Sequence, residues 1–465
     1  MESICGRRSD PIEKGMNSNM TDNKIIKREH AWMKDPSNSR FLFRRHPWLG
    51  VVLLLTAAVL LVIQYQYWWR FTPAEINEKN FPDELFREYV QRFDADRDGT
   101  LGRAELKAVT EIEIADEIDS SDKFNVKVIR SVTSLKGIEY FLNLESLFCD
   151  GCEDLHQLDL SKNRSLKELA CIRTGVTTLD VSHNKELTTL AFTNVSSSIF
   201  ERGNLTELDV SKNKKLEYLW CAAERLTTLD VSKNKALTTL NCADNYLTEL
   251  DVSRNKALQE LDCGGNQLAA IDVSKNPNLS TLDCSENQLT SIDVSRNSHL
   301  SMLECEKNQL TVIDVGQNPE LLKLFCNENR LTSIDVSQNT VLETLYCGHN
   351  AIDELDVSRN VQLVNLDCDY TLLRELDVKQ NPKLEDLSCE YIGLSKLDIS
   401  ENSNLEYLSY RGNKFRTIVV NKHPYMKRIL CDDPSMVMGA NRNCKVLTMT
   451  EYEKKEAAEE SASTT

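Results

Sequence analysis

Hydrophobic positions fall into three regimes along the chain. Between Trp48 and Trp69 they run without a charge, and Leu49 to Ile63 reads LGVVLLLTAAVLLVI. Such a segment, helical throughout, spans roughly 33 Å, enough to cross a bilayer. Tyr65, Tyr67, Trp68 and Trp69 crowd one end, as an interfacial aromatic belt does. From Phe81 to Phe93, FPDELFREYVQRF sets Leu85, Phe86, Tyr89, Val90 and Phe93 on one helical stripe. Beyond that, leucines recur in a short frame that repeats every 21 residues, as in LSTLDCSENQLTSIDVSRNSH from Leu279.

The repeat dominates the chain. Nine cysteines mark its period, from Cys221 and Cys242 through Cys263, Cys284, Cys305, Cys326, Cys347 and Cys368 to Cys389. The same frame runs back through Phe192, Cys171 and Cys149, and forward through Tyr410 and Cys431, giving about 14 coils over residues 142–431. One extra residue precedes Cys171, and eight extra fall near Val195 to Asn204, where a loop should bulge. Each L-x-x-L-x-C reads as a short strand with Leu and Cys inward. Stacked coils pair these strands into one parallel sheet about 4.8 Å apart, a rod or arc of roughly 65 Å. No coil buries its leucines alone, so each depends on its neighbours.

Two asparagine columns repeat with the strands. Asn245, Asn266, Asn287, Asn308, Asn329 and Asn350 follow the strand, and Asn163 through Asn402 close the S-x-N motif. Their amides are expected to satisfy backbone groups where the chain turns. Twelve aspartates, Asp159 through Asp398, recur beside Ser in L-D-V-S and read as turn caps. The ladder cysteines read as space-filling, because Phe192 and Tyr410 stand in for them at the same position. Only Cys149 and Cys152 have C-x-x-C spacing, which is weak support for a metal or redox role. Whether Cys431 and Cys444 pair is left open.

Residues 94–105, DADRDGTLGRAE, carry a different chemistry. Asp94, Asp96 and Asp98 stand at loop positions 1, 3 and 5, Gly99 at 6, the Thr100 carbonyl at 7 and Glu105 at 12. Oxygen ligands at that spacing between two helices suit calcium. Gly102 at position 9 has no side chain, so water must ligate there. No second loop follows. An unpaired extracellular loop implies an affinity on the order of 10⁻⁴–10⁻³ M and a structural clip more than a sensor.

Net charge is −17 at a pI near 5.1, which argues against nucleic acid as a partner. Residues 1–47 run the other way, with ten Lys/Arg against six Asp/Glu. The 20 residues after Arg70 hold only Lys79 and Arg87 among five acids. Positive-inside therefore puts the N-terminus in the cytoplasm and the remainder outside. The length of the preceding polar tail, and the lack of a small-x-small site, favour a retained anchor over a cleaved signal peptide.

The expected domains are a cytoplasmic disordered tail (1–47), a transmembrane signal anchor (48–69) and an EF-hand-like calcium module (71–111). A cap with an entry repeat (112–141), the solenoid (142–431) and a C-terminal cap with an acidic tail (432–465) follow. No G-x-S-x-G, Walker loop, dinucleotide fingerprint or H-E-x-x-H is present, and the seven histidines are scattered, so no enzymatic activity is expected.

The coils resemble the leucine-rich repeat family over about 290 residues. LKGIEYFLNLESL (Leu135 to Leu147) looks like the entry repeats of internalin-type bacterial surface proteins. NFPDELFREYV, the calcium loop, LKGIEYF and the LTxLDVSxN coils together resemble exported leucine-rich repeat proteins of Gram-positive bacteria. That resemblance implies an extracellular, calcium-capped solenoid that binds something. Without a wall-sorting motif, and with an N-terminal anchor, covalent wall attachment is not expected.

Two functions fit: a binding module for a protein, peptide or glycan, or a structural spacer without a specific ligand. The exposed position before each inward Cys separates them. It runs Trp220, Asn241, Asp262, Asp283, Glu304, Phe325, Tyr346 and Asp367, with an acidic stretch followed by two aromatics. That specialisation suits a basic peptide, a Lys/Arg-bearing protein or a sugar, although such a run also arises by drift.

Overall fold

The computed structural model describes residues 52, 55–60, 71–114, 132–193, 203, 205–415 and 417–451. Two compact units are distinguished, 1–71 and 72–465. In the first, residues 52 and 55–60 are helical, and no described helix is long and apolar enough to cross a membrane. The expected span Trp48–Trp69 lies mostly outside the described residues, as does the cytoplasmic tail. All further description concerns the second unit.

Its body is a parallel sheet of sixteen strands among the described residues. Fourteen belong to the coils anticipated from the 21-residue frame. They run from Ser146–Phe148 through Thr281–Asp283 and Met302–Glu304 to Arg428–Leu430. Most of these strands are three residues long because only x-L-x is extended, and in Thr281–Asp283 and Met302–Glu304 the middle Leu faces in while its neighbours face out. The register is exact from coil to coil: Leu282 stands opposite Leu261 and Leu303. A shift by one residue would turn every Leu to solvent, so the buried stack enforces that register.

Two strands lie beyond the repeat. Glu111–Glu113 pairs with Ser146–Phe148 at the N-terminal end, and Lys445–Leu447 pairs with Arg428–Leu430 at the other. The sheet is thus one strand longer at each end than the repeat frame implies. The eight-residue insertion does not interrupt it. Thr189, Leu190 and Ala191 pair directly with Tyr218, Leu219 and Trp220, while most of the insertion itself lies outside the described residues.

The coil interior is built from three stacks. The described ladder cysteines are free and buried, and Cys444, beyond the ladder, is free and half-buried, so Cys431 and Cys444 are separate thiols. Cys263, Cys284 and Cys305 each reach a carbonyl of the next coil at 3.3–3.4 Å. Burial pushes these thiols far up, away from the reactive thiolate. Phe192 and Tyr410 are buried at the same position, as a packing role requires. The first two rungs differ: Cys149 Sγ lies 3.0 Å from Cys171 Sγ, where the extra residue alters the spacing.

The asparagine columns are ladders. Asn287 Nδ2 donates to the carbonyls of Cys263, Cys284 and Ser285, while its Oδ1 accepts from Leu268 N. On the second ladder, Asn276 Nδ2 donates to Val252 O and Asn255 O. One side chain therefore satisfies turn groups of two successive coils, where no strand partner exists. The aspartates cap turns, as Asp272 does by accepting from Ser274 N at 2.9 Å. Hydrogen bonds from Ser274 hold its carboxyl below the ordinary range.

The N-terminal module packs onto the first coil. Helix α1 (Glu84–Val90) continues into a 3-10 turn at Gln91–Phe93, and α2 (Arg103–Ala108) follows the loop. Helix α2 ends at Ala108 because the chain turns extended at Val109 and enters the sheet. Asp83 caps α1 through Phe86 N, and its other oxygen accepts from Thr133 N and Oγ1. Phe81 and Phe93 lie 5.8 Å from Tyr140 and Phe141 respectively. Gly137 permits this contact: at φ +107 a Cβ would stand 2.2 Å from the Phe81 ring. The entry repeat is thus in place at 132–148, while 115–131 lies outside the described residues.

Candidate functional site

The acidic loop folds around its own backbone. Asp94 accepts from Asp98 N and Gly99 N, and Asp98 accepts from Thr100 N at 2.7 Å. Arg97 and Gly99 take left-handed backbone, which bends the chain so that the Asp94, Asp96 and Asp98 carboxylates converge within 4.8 Å. Glu105, in the first turn of α2, closes the loop by accepting from Ala95 N and Gly102 N, both at 2.7 Å. The Asp98 N–H pulls the Asp96 carboxyl down. Desolvation and the Asp98, Glu105 and Asp94 charges outweigh it, so Asp96 titrates above its ordinary value. A donor set made only of oxygen, carrying this much negative charge, fits a hard divalent cation. With no second loop to pair with, Thr100–Leu101 forms an antiparallel bridge with Ala74–Glu75 of the same chain.

The second candidate is the strand face. Trp220, Asp262, Asp283, Glu304, Phe325, Tyr346 and Asp367 stand in one unbroken column, in direct register through Asn241. All are half-buried. Desolvation and the Asp283 charge raise Asp262 to about 6. Desolvation, then Asp283, Glu306 and Asp262, raise Glu304 to about 7. Asn241 Nδ2 donates to Asp262 at 2.8 Å. Phe325 and Tyr346 meet edge to face at 5.1 Å. The column therefore joins crowded carboxylates to an aromatic pair on a rigid sheet.

A third group was not assembled from the sequence. Two positions after the ladder cysteine, His349 stacks on Tyr370 at 4.4 Å and Tyr370 on Tyr391 at 4.7 Å. The signal was present in the 21-residue spacing of these three residues, but His349 was read as scattered. Beside them, Asp369 accepts from Ser388 Oγ and Glu390 N, and desolvation with the Asp367 charge raises it to about 7.

The family model for leucine-rich repeats in two copies matches residues 256–297. No curated protein matches the chain. Among solved structures, the chain is similar to the functional domain of InlJ from Listeria monocytogenes, described as including a cysteine ladder. The two are 31% identical with a TM-score of 0.69, covering 82% of this chain and 78% of that one. An internalin, InlF, from Listeria monocytogenes is 20% identical with a TM-score of 0.59, covering 80% of this chain and 99% of its own. A leucine-rich repeat protein of Leptospira interrogans is 19% identical with a TM-score of 0.57, covering 76% and 94%. Such a fold is typically a non-enzymatic scaffold for interaction. On the repeat model, the register of the coils and the identity over most of both chains, this chain belongs to the leucine-rich repeat proteins of internalin-like type.

Proposed function

We propose that this chain is a membrane-anchored, extracellular binding scaffold that takes a protein, peptide or glycan ligand on its strand face. The observation that carries this reading is the column from Asp262 to Tyr346. Three carboxylates one coil apart, partly desolvated, repel one another, and a solenoid gains no stability from keeping them there. A ligand bearing Lys or Arg relieves that repulsion, and the adjoining Phe325–Tyr346 pair supplies apolar contact area. The test is ligand capture by wild type, by Phe325→Ala/Tyr346→Ala and by Asp283→Lys/Glu304→Lys. Loss in both variants supports the reading; capture unchanged in both contradicts it.

Calcium enters as a stabiliser of the N-terminal module. Asp94, Asp96, Asp98, Glu105 and the Thr100 carbonyl would hold the ion, which supplies positive charge to a cluster otherwise short of it. The loop joins α1 to α2, so holding it closed also holds Phe81 and Phe93 against the first coil. The anchor is the apolar run Trp48–Trp69, with the basic 1–47 segment inside and the acidic solenoid outside.

A further inference from the structure

At the turn leaving most of the described coil strands, one residue adopts left-handed backbone, and in three consecutive coils that residue is aromatic. His349, Tyr370 and Tyr391 have φ of 53°, 51° and 53°. Other coils place Ala223, Asp244, Gly265, Glu286, Lys307 and Glu328 at the same point, so the turn itself does not call for a ring. The left-handed backbone is common to these coils, and what sets the three apart is the ring each carries.

The three rings form one stack, with Tyr370 and Tyr391 each 44% exposed. Its far end is fixed. Arg411 lies over Tyr391 with 5.6 Å from guanidinium carbon to ring centre, and buried Glu390 accepts from Arg411 Nε at 2.7 Å. Gly412 leaves the floor open: a Cβ there would stand 2.2 Å from the Tyr391 ring. A long aromatic ridge is thus built and held rigid outside the strand face.

The surroundings select the partner. The Asp367 charge lies close to His349 and the Asp369 charge close to Tyr370, and Arg411 is engaged by Glu390. A second copy of the chain would bring the same carboxylates against these. Both faces of Tyr370 are covered by neighbouring rings, so a sugar has no free face to stack on there. What remains is a row of ring edges and phenol hydroxyls beside carboxylates. That row fits Lys or Arg stems along the edges, with their charged heads paired to the acids.

We infer that the ridge His349–Tyr370–Tyr391 is a second docking surface and that it receives a protein segment rich in Arg or Lys. The inference rests on the chain being a binding scaffold, but not on the strand-face column being the site. The test measures binding of the full chain to three synthetic 12-residue peptides, identical except for Arg, Gln or Glu at alternate positions, and to a neutral hexasaccharide. Tyr370→Gly/Tyr391→Gly removes the ridge while fitting the left-handed backbone, and a cooperative melt recorded beside the binding shows that the fold is kept. The Arg peptide is expected to bind, and this variant to weaken it about tenfold or more, the equivalent of about 1.4 kcal/mol. Tyr370→Phe/Tyr391→Phe should keep part of the binding, and added salt should weaken it in every form. Phe325→Ala/Tyr346→Ala should leave it unchanged, and equal loss in that variant would assign the peptide to the strand face instead. No binding of the Arg peptide, equal binding of the Gln or Glu peptide, preference for the hexasaccharide, or full binding by the Gly variant each overturns the inference.

Discussion

An asparagine side chain in this solenoid does the work that a neighbouring strand does elsewhere. Asn287 supplies donors to three carbonyls and an acceptor to one amide, all buried except the half-buried bond to Ser285. Asn287→Asp would face those carbonyls with oxygen and leave them unpaired, at a cost of about 3 kcal/mol or more by urea unfolding. Cys242 needs only volume. Cys242→Val should cost about 1.5 kcal/mol or less, since the substitution nearly conserves volume. Cys242→Asp should prevent the coil from closing, because a charge would be buried without a partner. Slow labelling by bulky thiol reagents in the folded state is expected, and rapid labelling would contradict the burial of the ladder.

Carboxyl groups set a pH optimum at the same scale. Asp262 at about 6, and Glu304 and Asp369 at about 7, are raised chiefly by desolvation. They bind protons more tightly folded than unfolded. Their stabilising contribution is therefore complete below the ordinary carboxylate range and lost as pH rises through 6–7. The capping aspartates have the opposite sign. Asp398, drawn to about 2 by hydrogen bonds from Ser400 and Lys379, contributes above its ordinary value and loses that contribution as pH falls toward 2. Melting temperature should rise from pH 8 to about pH 5 and fall again below about pH 4. A monotonic profile across that range would show that these groups do not govern stability.

At the level of elements, each coil depends on its neighbours. Leu282→Ala removes a fully buried side chain flanked by Leu261 and Leu303, at a cost of about 2–5 kcal/mol. The N-terminal module adds its own dependence. Asp94→Ala/Glu105→Ala should abolish any rise in melting temperature on adding calcium. An identical melt for wild type in calcium and in chelator would remove calcium from the function proposed. Gly137→Ala should loosen α1 from the first coil by collision with Phe81, seen as faster amide exchange over Glu84–Val90.

Much of this scale was legible because leucine, cysteine and asparagine recur at one spacing. The fourteen coils, the inward Cys and both asparagine ladders follow from it. The end strands were not legible, because Glu-Ile-Glu at 111–113 and Lys-Val-Leu at 445–447 carry no Leu-x-x-Leu-x-Cys frame. Pairing with the adjacent coil makes them strands. The aromatic ridge escaped for another reason. Its three residues share the 21-residue spacing, but the inward pattern does not mark their column, and contact between the rings is visible only in the stacking geometry. Similarly, the convergence of Asp94, Asp96 and Asp98 was legible from their spacing, whereas the bridge to Ala74–Glu75 depends on a segment with no motif of its own.

For the whole molecule, the charge asymmetry around Trp48–Trp69 sets the expected topology. Protease added to intact cells should remove the solenoid and spare residues 1–47, and protection of the repeats would reverse that orientation. The binding proposal concerns a continuous sheet whose face changes character from coil to coil. The most direct measurement is the affinity of the full chain for an array of purified extracellular proteins, peptides and glycans, in three forms: wild type, Phe325→Ala/Tyr346→Ala and Asp283→Lys/Glu304→Lys. At least one partner bound by wild type should lose about tenfold or more in both variants, each by about 1.4 kcal/mol. If every partner binds all three forms equally, the strand face is not the binding site.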